Sequence, residues 1–311
     1  MKNKVFALFL PLLAYCMGPI WAQGTFTPVE NSLLWQISGN GLKDTSYLFG
    51  TIHIIPEDRF VLTEATKRSF DRCSRVTFEI DTEQMTNPMA MLGLLGQMYM
   101  ANDTTLSDLL TVEDYQMVEA HFDKIGLPMF MMKRIKPMFL SILASEDMAD
   151  IKSNKEGVGM MGDGMKSYEL ELTSLAQKQE KPIAGLETAA FQMSLFDSIP
   201  YRIQAKMLVD AIAQSNEAAN TGEEDTLEKM IQLYLDEDLA GMEAMMKTDE
   251  GGLAGFEELL LLKRNRNWIP VMADMMTKER VFFAVGAGHL GGEEGVVNLL
   301  RKAGYQVTPI H

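Results

Sequence analysis

The chain has 311 residues, with 28 Lys plus Arg against 43 Asp plus Glu, for a formal charge of -15. At 47% hydrophobic and 23% charged it has the composition of a globular protein rather than a disordered one. The acidic balance argues against a nucleic-acid partner and against anionic membrane surfaces, which both select basic proteins, and is compatible with cationic ligands such as divalent metals.

The N-terminal stretch has a basic start (Lys2, Lys4), an apolar run from Val5 to Met17, and Ala22 before Gln23. That run is too short to cross a bilayer core of about 30 Å as a helix. Residues 1–22 read as a secretory signal peptide, so the protein is expected to be exported to the periplasm or extracellular space. A lipid anchor at Cys16 is the weaker alternative, because Tyr15 is bulky where a small residue belongs. The other cysteine, Cys73, forms no C-x-x-C pair with it, which excludes a redox motif or thiolate zinc site of that kind. No later segment reaches about 18 uninterrupted apolar residues; the nearest, Met89 to Ala101, is broken by Gly93, Gly96 and Gln97.

From there the expected domain runs over 31–310. Leu33 to Ser38 predicts a strand, Gly39-Asn40-Gly41 a turn, and Tyr47 to Phe49 a second strand. Leu62 to Cys73 has helical spacing and Arg75 to Ile80 (RVTFEI) reads as a strand. Residues 105–279 are expected to be mostly helical, with a Thr111-x-x-Asp114 start to a helix ending at Gly126. Met129 to Met148, Tyr201 to Gln214, Thr226 to Leu235 and Phe256 to Met276 are further helices, and Lys181 to Leu186 is a short strand. Ser153 to Gly164 is a glycine-rich loop without the Gly-Lys-Ser/Thr ending of a P-loop. Arg280 to Val285 is a strand, Gly291 to Ala303 a helix, and Tyr305 to Ile310 a final strand. The expected fold is therefore α/β (α+β). Two strand-GxxH-helix-strand units, at 33–81 and 280–310, form a mixed sheet core, and a large helical middle separates them. The many methionines (25) read as adaptable core filler, or as the lining of a peptide groove.

The histidines are few, namely His53, His121, His289 and His311. Two share one local frame, Gly50-Thr51-Ile52-His53 and Gly286-Ala287-Gly288-His289, each after an apolar strand. Ligands of α/β sheets bind beyond the carboxyl ends of strands, and a glycine there lets the chain turn sharply. Two imidazoles with one carboxylate form a common divalent-metal set that leaves positions open for water. Glu79, inside the apolar strand Val76 to Ile80, is the candidate third ligand or catalytic carboxylate. It needs a partner, since a lone carboxylate among apolar neighbours is costly. Asp81 lies two residues on. Glu187 ends another predicted strand and is a second catalytic candidate, or else a first-turn charge of the following helix. Leu259 to Leu262 are four consecutive leucines, so that segment is expected to be buried on most sides; Arg264 beside it, next to Asn265, is a candidate clamp for an anionic group, or else a surface charge. His121 reads as structural and His311 as frayed. The sequence G-A-G-H-L-G at 286–291 matches G-x-G-x-x-G, but the chain ends too soon after it for a dinucleotide fold.

SYLFGTIHI (Ser46 to Ile54), the strand with Glu79, GLET (Gly185 to Thr188) with Gln192, RNRNW (Arg264 to Trp268) and VGAGHLGGEEGVVNLLRKAGYQV (Val285 to Val307) together resemble the TraB/GumN family. That family is grouped with the Tiki proteins, described as metal-dependent proteases acting on secreted Wnt ligands, and its TraB members are associated with shutting down peptide pheromones. The resemblance implies a metal-dependent hydrolase site where the two GxxH units meet. His53 and His289 match the family's histidines, Glu79 its glutamate and Arg264 an arginine, with Gly50, Gly286, Asp81 and Asn265 in support. The expected function is an exported metal-dependent hydrolase, of peptidase type, using Mn, Co or Zn on a peptide or protein substrate. The alternative is a non-catalytic module binding peptide, haem or metal in the same crevice.

Overall fold

The computed structural model describes residues 28–81, 88–144, 164–221, 226–247 and 255–311. The signal-peptide region with Cys16, the loop at 153–163 and the end of the expected helix at 145–148 lie outside the described residues. The strands are β1 (Leu34–Gly39), β2 (Ser46–Thr51), β3 (Ile55–Pro56), β4 (Arg75–Ile80), β5 (Met165–Lys166), β6 (Ile183–Glu187), β7 (Val281–Gly286) and β8 (Tyr305–Ile310). The helices used below are α1 (Glu64–Asp71), α2 (Pro88–Gln97), α3 (Val112–Lys124), α4 (Met129–Met132), α5 (Pro137–Leu143), α6 (Tyr168–Lys178), α7 (Ala189–Leu195), α8 (Tyr201–Thr221), α9 (Thr226–Leu235), α10 (Leu239–Lys247), α11 (Lys263–Lys278) and α12 (Val296–Lys302).

The fold is mixed α/β, and six strands form one sheet in the order β6-β4-β7-β2-β1-β8. β6, β4, β7 and β2 pair in parallel, whereas β1 is antiparallel to both β2 and β8. Five strands therefore point one way and β1 the other. The parallel centre accounts for the continuous apolar runs: β2 is buried along its whole length and β7 along all but its last residue. The turn after β1 places Gly39, Asn40 and Gly41 at positive φ, which their residue types tolerate.

The two chain-end units interleave. β2 of the first lies against β7 of the second, with Thr51 opposite Gly286, and β4 lies on the far side of β7. The carboxyl ends of four neighbouring strands thus line one edge, at Thr51, Gly286, Ile80 and Glu187. Strand β6 matches the short strand expected before Glu187. A separate two-stranded ladder joins β3 to β5, pairing Ile55 with Lys166 and Pro56 with Met165.

One buried cluster surrounds the sheet, with Trp35, Phe78, Trp268, Phe282 and Phe283 among its largest members. A second cluster fills the helical middle with Leu106, Phe122, Leu140, Leu208 and methionines such as Met100 and Met132. Thr111 caps α3 by accepting from the Asp114 amide, as the local sequence predicts. Other expectations need correction. The segment from Met129 breaks into α4 and α5, because Pro137 lacks an amide donor and opens a new helix. The last helix begins at Val296 rather than Gly291, since Gly292 adopts φ +82° in the preceding turn. The leucines Leu259 to Leu262 are half-buried, within a five-residue π-helical turn that leads into α11. No helix among the described residues is long and apolar enough to cross a membrane.

Candidate active site

The strand edge assembles most of the candidate residues. Glu79 comes from β4, Glu187 from the end of β6, His53 from the loop after β2, and His289 from the short turn after β7. Arg264 and Asn265 enter from the first turn of α11. The two GxxH motifs pack on each other: a Cβ on Gly50 would fall 2.6 Å from the Leu290 side chain and 3.2 Å from the Ala287 backbone. Glycine at this position lets the two loops come that close.

Glu79 is buried, and both its oxygens are engaged. Oε1 accepts from the Gly286 amide at 2.8 Å; Oε2 accepts from Arg264 Nη2 at 2.5 Å and from Gln192 Nε2 at 3.2 Å. Burial alone would raise its pKa, but the His289 ring, Arg264 and the Gly286 amide outweigh it and hold the carboxyl down at about 2. Arg264, with a side chain only 8% exposed, also donates to Glu187 from Nε at 2.8 Å and to the Leu260 carbonyl at 3.0 Å. The other Glu187 oxygen accepts from Trp268 Nε1 at 3.0 Å. Arg264 is therefore a buried bridge between two carboxylates and not a surface charge, and Glu187 is its clamp. The π turn before α11 supplies the Leu260 carbonyl to this bridge; such turns recur at functional sites.

His289 is buried, with its ring 4.4 Å from that of Trp268. Its Nδ1 lies 2.6 Å from Asn265 Oδ1, and Asn265 Nδ2 donates to the Glu294 carbonyl at 2.9 Å. Burial pushes the ring pKa down to about 4, against the pull of Glu79. The ring is accordingly neutral, with the proton assigned to Nδ1, while Nε2 accepts from Arg264 Nη1 at 3.2 Å and stands 3.6 Å from Glu79 Oε1.

His53 has a different setting. Its side chain is 72% exposed, and Nδ1 lies 2.9 Å from Glu169 Oε1. The hydrogen bond to Glu169 raises its pKa to about 9 despite the desolvation of the site, with Glu79 adding to the pull. His53 also acts electrostatically on His289 and on Glu79, which puts both imidazoles in the field of one carboxylate. Glu169 was not legible as a site residue: it looks like an ordinary first-turn acid of a helix, and only the tertiary β3–β5 ladder brings it to His53. Asp81 is half-buried just beyond β4. His121 packs edge-on against Phe122 in the helical middle, away from this edge.

The chemistry of the donors fits a divalent ion. Each GxxH ring is anchored through Nδ1, which leaves Nε2 as the ligating nitrogen, the usual arrangement for a metal-bound histidine. A buried carboxylate stands beside them. The donors are not preassembled, however: Arg264 hydrogen-bonds both His289 Nε2 and Glu79 Oε2, and among the described residues no three His, Cys, Asp or Glu stand together as a coordination set. A cavity of about 400 Å³ adjoins the site, lined by Asn265, Gly288, Met246, Leu261, Glu243 and Glu258 among others.

The sequence pattern of the TraB/PrgY/gumN family matches residues 33–309. The chain belongs to the TraB/PrgY/gumN family. Relatives include Metalloprotease TIKI2 of Danio rerio, 24% identical over 89% of this chain and 60% of that protein. Metalloprotease TIKI1 of Danio rerio is 23% identical, over 89% of this chain and 63% of its own length. Metalloprotease TIKI1 of Homo sapiens is likewise 23% identical, covering 90% of this chain and 63% of its own length. The chain thus spans about three-fifths of these relatives. No solved structure gives a significant match.

Proposed function

We propose that this TraB/PrgY/gumN member is an exported metal-dependent hydrolase acting on a peptide or protein substrate at the His53–Glu79–Arg264–His289 edge. The observation that carries the reading is that the two GxxH imidazoles hang from adjacent parallel strands, each held at Nδ1, around one buried carboxylate. That the relatives named above are metalloproteases supports it. His53 and His289 would hold a divalent ion of the Mn, Co or Zn type through Nε2, with Glu79 as the third donor. Such an ion supplies a bound water whose pKa falls toward neutrality.

The chain's own groups do the rest. Glu79, ionised well below neutral pH, is a charge partner rather than a proton acceptor. Arg264, bridging Glu79 and Glu187, offers a buried cation to the charge that develops on a scissile carbonyl oxygen. Glu187 has both oxygens engaged, by Arg264 and by Trp268, so it acts as the clamp of the bridge. The Met246 side chain over Gly288 and the adjoining cavity would seat substrate.

Titration of the purified chain with Mn²⁺, Co²⁺ or Zn²⁺ tests the metal part: binding should be lost in His53→Ala and His289→Ala, and wild-type affinity in both would overturn it. A second reading, a non-catalytic binding module, draws on the closed Arg264–Glu79–Glu187 bridge. Digestion of a diverse peptide pool by wild type but not by Glu79→Ala would exclude it. Export predicts that the mature chain recovered from the producing cell has lost residues 1–22, which mass spectrometry reads directly.

A further inference from the structure

Glu169 belongs to neither GxxH motif, yet its side chain contacts the first one at both Thr51 and His53. Its Oε1 lies 2.9 Å from His53 Nδ1 and accepts from Thr51 Oγ1 at 2.7 Å. Its Oε2 accepts from Ser167 Oγ at 2.9 Å. Thr51 and His53 are the second and fourth residues of Gly50-Thr51-Ile52-His53, so one carboxylate grips that turn at two points. The backbone sets up the contact: β3 begins two residues after His53, β5 ends three residues before Glu169, and the two pair antiparallel through Ile55 and Lys166. The Glu57 amide extends the tie by donating to the Gly164 carbonyl at 2.7 Å. Ser167 caps α6 and so fixes the turn that carries Glu169.

An exposed ion pair of this kind contributes little stability. Here the exposure is one-sided, with the His53 side chain 72% exposed and that of Glu169 only 19%. The carboxylate is anchored and the ring projects from it. A ring held at Nδ1 cannot spin about its side-chain torsions, so its remaining nitrogen is presented in one direction.

We propose that Glu169 is the positioning residue of the first GxxH motif: it accepts the Nδ1 proton of His53 and thereby presents Nε2 as the ligating atom. It plays for His53 the part that Asn265 plays for His289. The inference rests on the reading of this edge as a metal-dependent site. The orientation of the ring, however, can be measured without metal. Four histidines in the chain make the measurement tractable.

The experiment labels histidine with nitrogen-15 in the metal-free full chain and, at a pH above the His53 value of about 9 where the ring is neutral, reads its tautomer from long-range proton–nitrogen correlations, assigned with His53→Gln. Wild type should carry the proton on Nδ1. Glu169→Ala should shift it to Nε2, and Glu169→Gln, whose amide oxygen can still accept, should restore Nδ1. In parallel, Mn²⁺ calorimetry should show affinity falling about 10- to 100-fold in Glu169→Ala. The same tautomer in wild type and Glu169→Ala overturns the proposal, as does wild-type Mn²⁺ affinity in a tautomer-shifted Glu169→Ala when His53→Ala does lose Mn²⁺. Should Glu169→Ala not fold, Thr51→Val, which removes one anchor of the carboxylate, must move the His53 tautomer part-way, and an unchanged ring overturns the proposal equally. If His53→Ala and His289→Ala bind Mn²⁺ like wild type while Glu169→Ala still moves the tautomer, the metal reading falls and the positioning role stands.

Discussion

Arg264 and Glu79 are joined through Nη2 and Oε2 at 2.5 Å in a site from which water is almost excluded, and the same guanidinium reaches Glu187 at 2.6 Å. Two buried carboxylates thus share one cation. Removing that cation leaves both charges uncompensated, a change that typically costs about 3 to 5 kcal/mol. Arg264→Met should lower stability by that order in urea unfolding. Adding Glu79→Gln to it should recover part of the loss, because the neutral amide no longer needs a counter-charge. Arg264→Lys should rescue poorly, since an ammonium cannot span both acids and the Leu260 carbonyl at once.

Asn265 holds His289 by a short Nδ1–Oδ1 contact and is itself tied to the Glu294 carbonyl. Asn265→Ala leaves a buried ring nitrogen without its acceptor, at a cost of about 1 to 3 kcal/mol. Asn265→Asp should instead set a carboxylate against that ring and raise the His289 pKa above its value of about 4. Titration of His289 followed by nitrogen-15 shifts distinguishes the two; an unmoved pKa in Asn265→Asp would mean that the ring is oriented by something else.

Much of this architecture was readable because it is local. The apolar runs of β2 and β7, the strand RVTFEI and the Thr111 cap follow from residue type and spacing alone. The pairing of the chain ends was visible only as a repeated G-x-x-H, which says nothing about which strand neighbours which. The sheet interleaves the two units, so Glu79 reaches His289 across β7 from the first unit. Arg264 drew notice as a charge near four leucines, but its partners come from β4 and β6, far off in sequence. Glu169 carried no signal, because nothing in SYELELTSL sets its first-turn acid apart. What escaped the sequence is therefore long-range polar pairing, which hydrophobic periodicity does not encode.

Acid should destabilise the metal-free chain in a defined order. The folded pKa of Glu79 is lowered to about 2, so its contribution is complete above the unfolded carboxyl range, about 4.3, and is lost as pH falls toward 2. The folded pKa of His289 is lowered from 6.5 to about 4, so the unfolded chain takes up a proton there first, and stability already declines as pH falls below 6.5. His53 acts in the opposite sense: raised to about 9, it favours the fold below 6.5 and loses that contribution as pH rises through 9. Exposure of its ring screens this pull, so the acid-side slope should dominate. Urea midpoints of the metal-free protein should therefore rise from pH 3 to pH 6.5, and the lower part of that rise should flatten in Glu79→Gln. A midpoint independent of pH over this range would contradict the buried, charged state of Glu79.

Gly50 and Gly185 face different obstacles. A Cβ on Gly50 meets the end of the Leu290 side chain at 2.6 Å and the Ala287 backbone at 3.2 Å; one on Gly185 meets the Asp81 amide nitrogen at 2.5 Å and the Glu187 carbonyl oxygen at 2.8 Å. A leucine tip can move, but strand backbone cannot without breaking the β4–β6 pairing. Gly50→Ala should cost about 1 to 3 kcal/mol as an overpacked contact between the two GxxH loops. Gly185→Ala should cost more and reduce soluble yield. Equal losses in urea unfolding would mean that the two loops are as rigid as the sheet.

Cys73 closes the helix α1 region against the sheet core, its thiol donating to the Ser69 carbonyl at 3.3 Å. Burial pushes its pKa up to about 12, with Lys181 and Arg280 pulling weakly the other way. Thiol reagents attack the thiolate, so a buried sulfur with that pKa is nearly inert at pH 8. In a Cys16→Ser chain, Cys73 is the one remaining thiol. Its modification by an aromatic disulfide reagent should be slow under native conditions, accelerate with urea, and follow the unfolding curve. Complete reaction within seconds in native buffer would show that the α1–β4 packing opens on its own, and the placement of Glu79 one strand-length away would lose its rigid support.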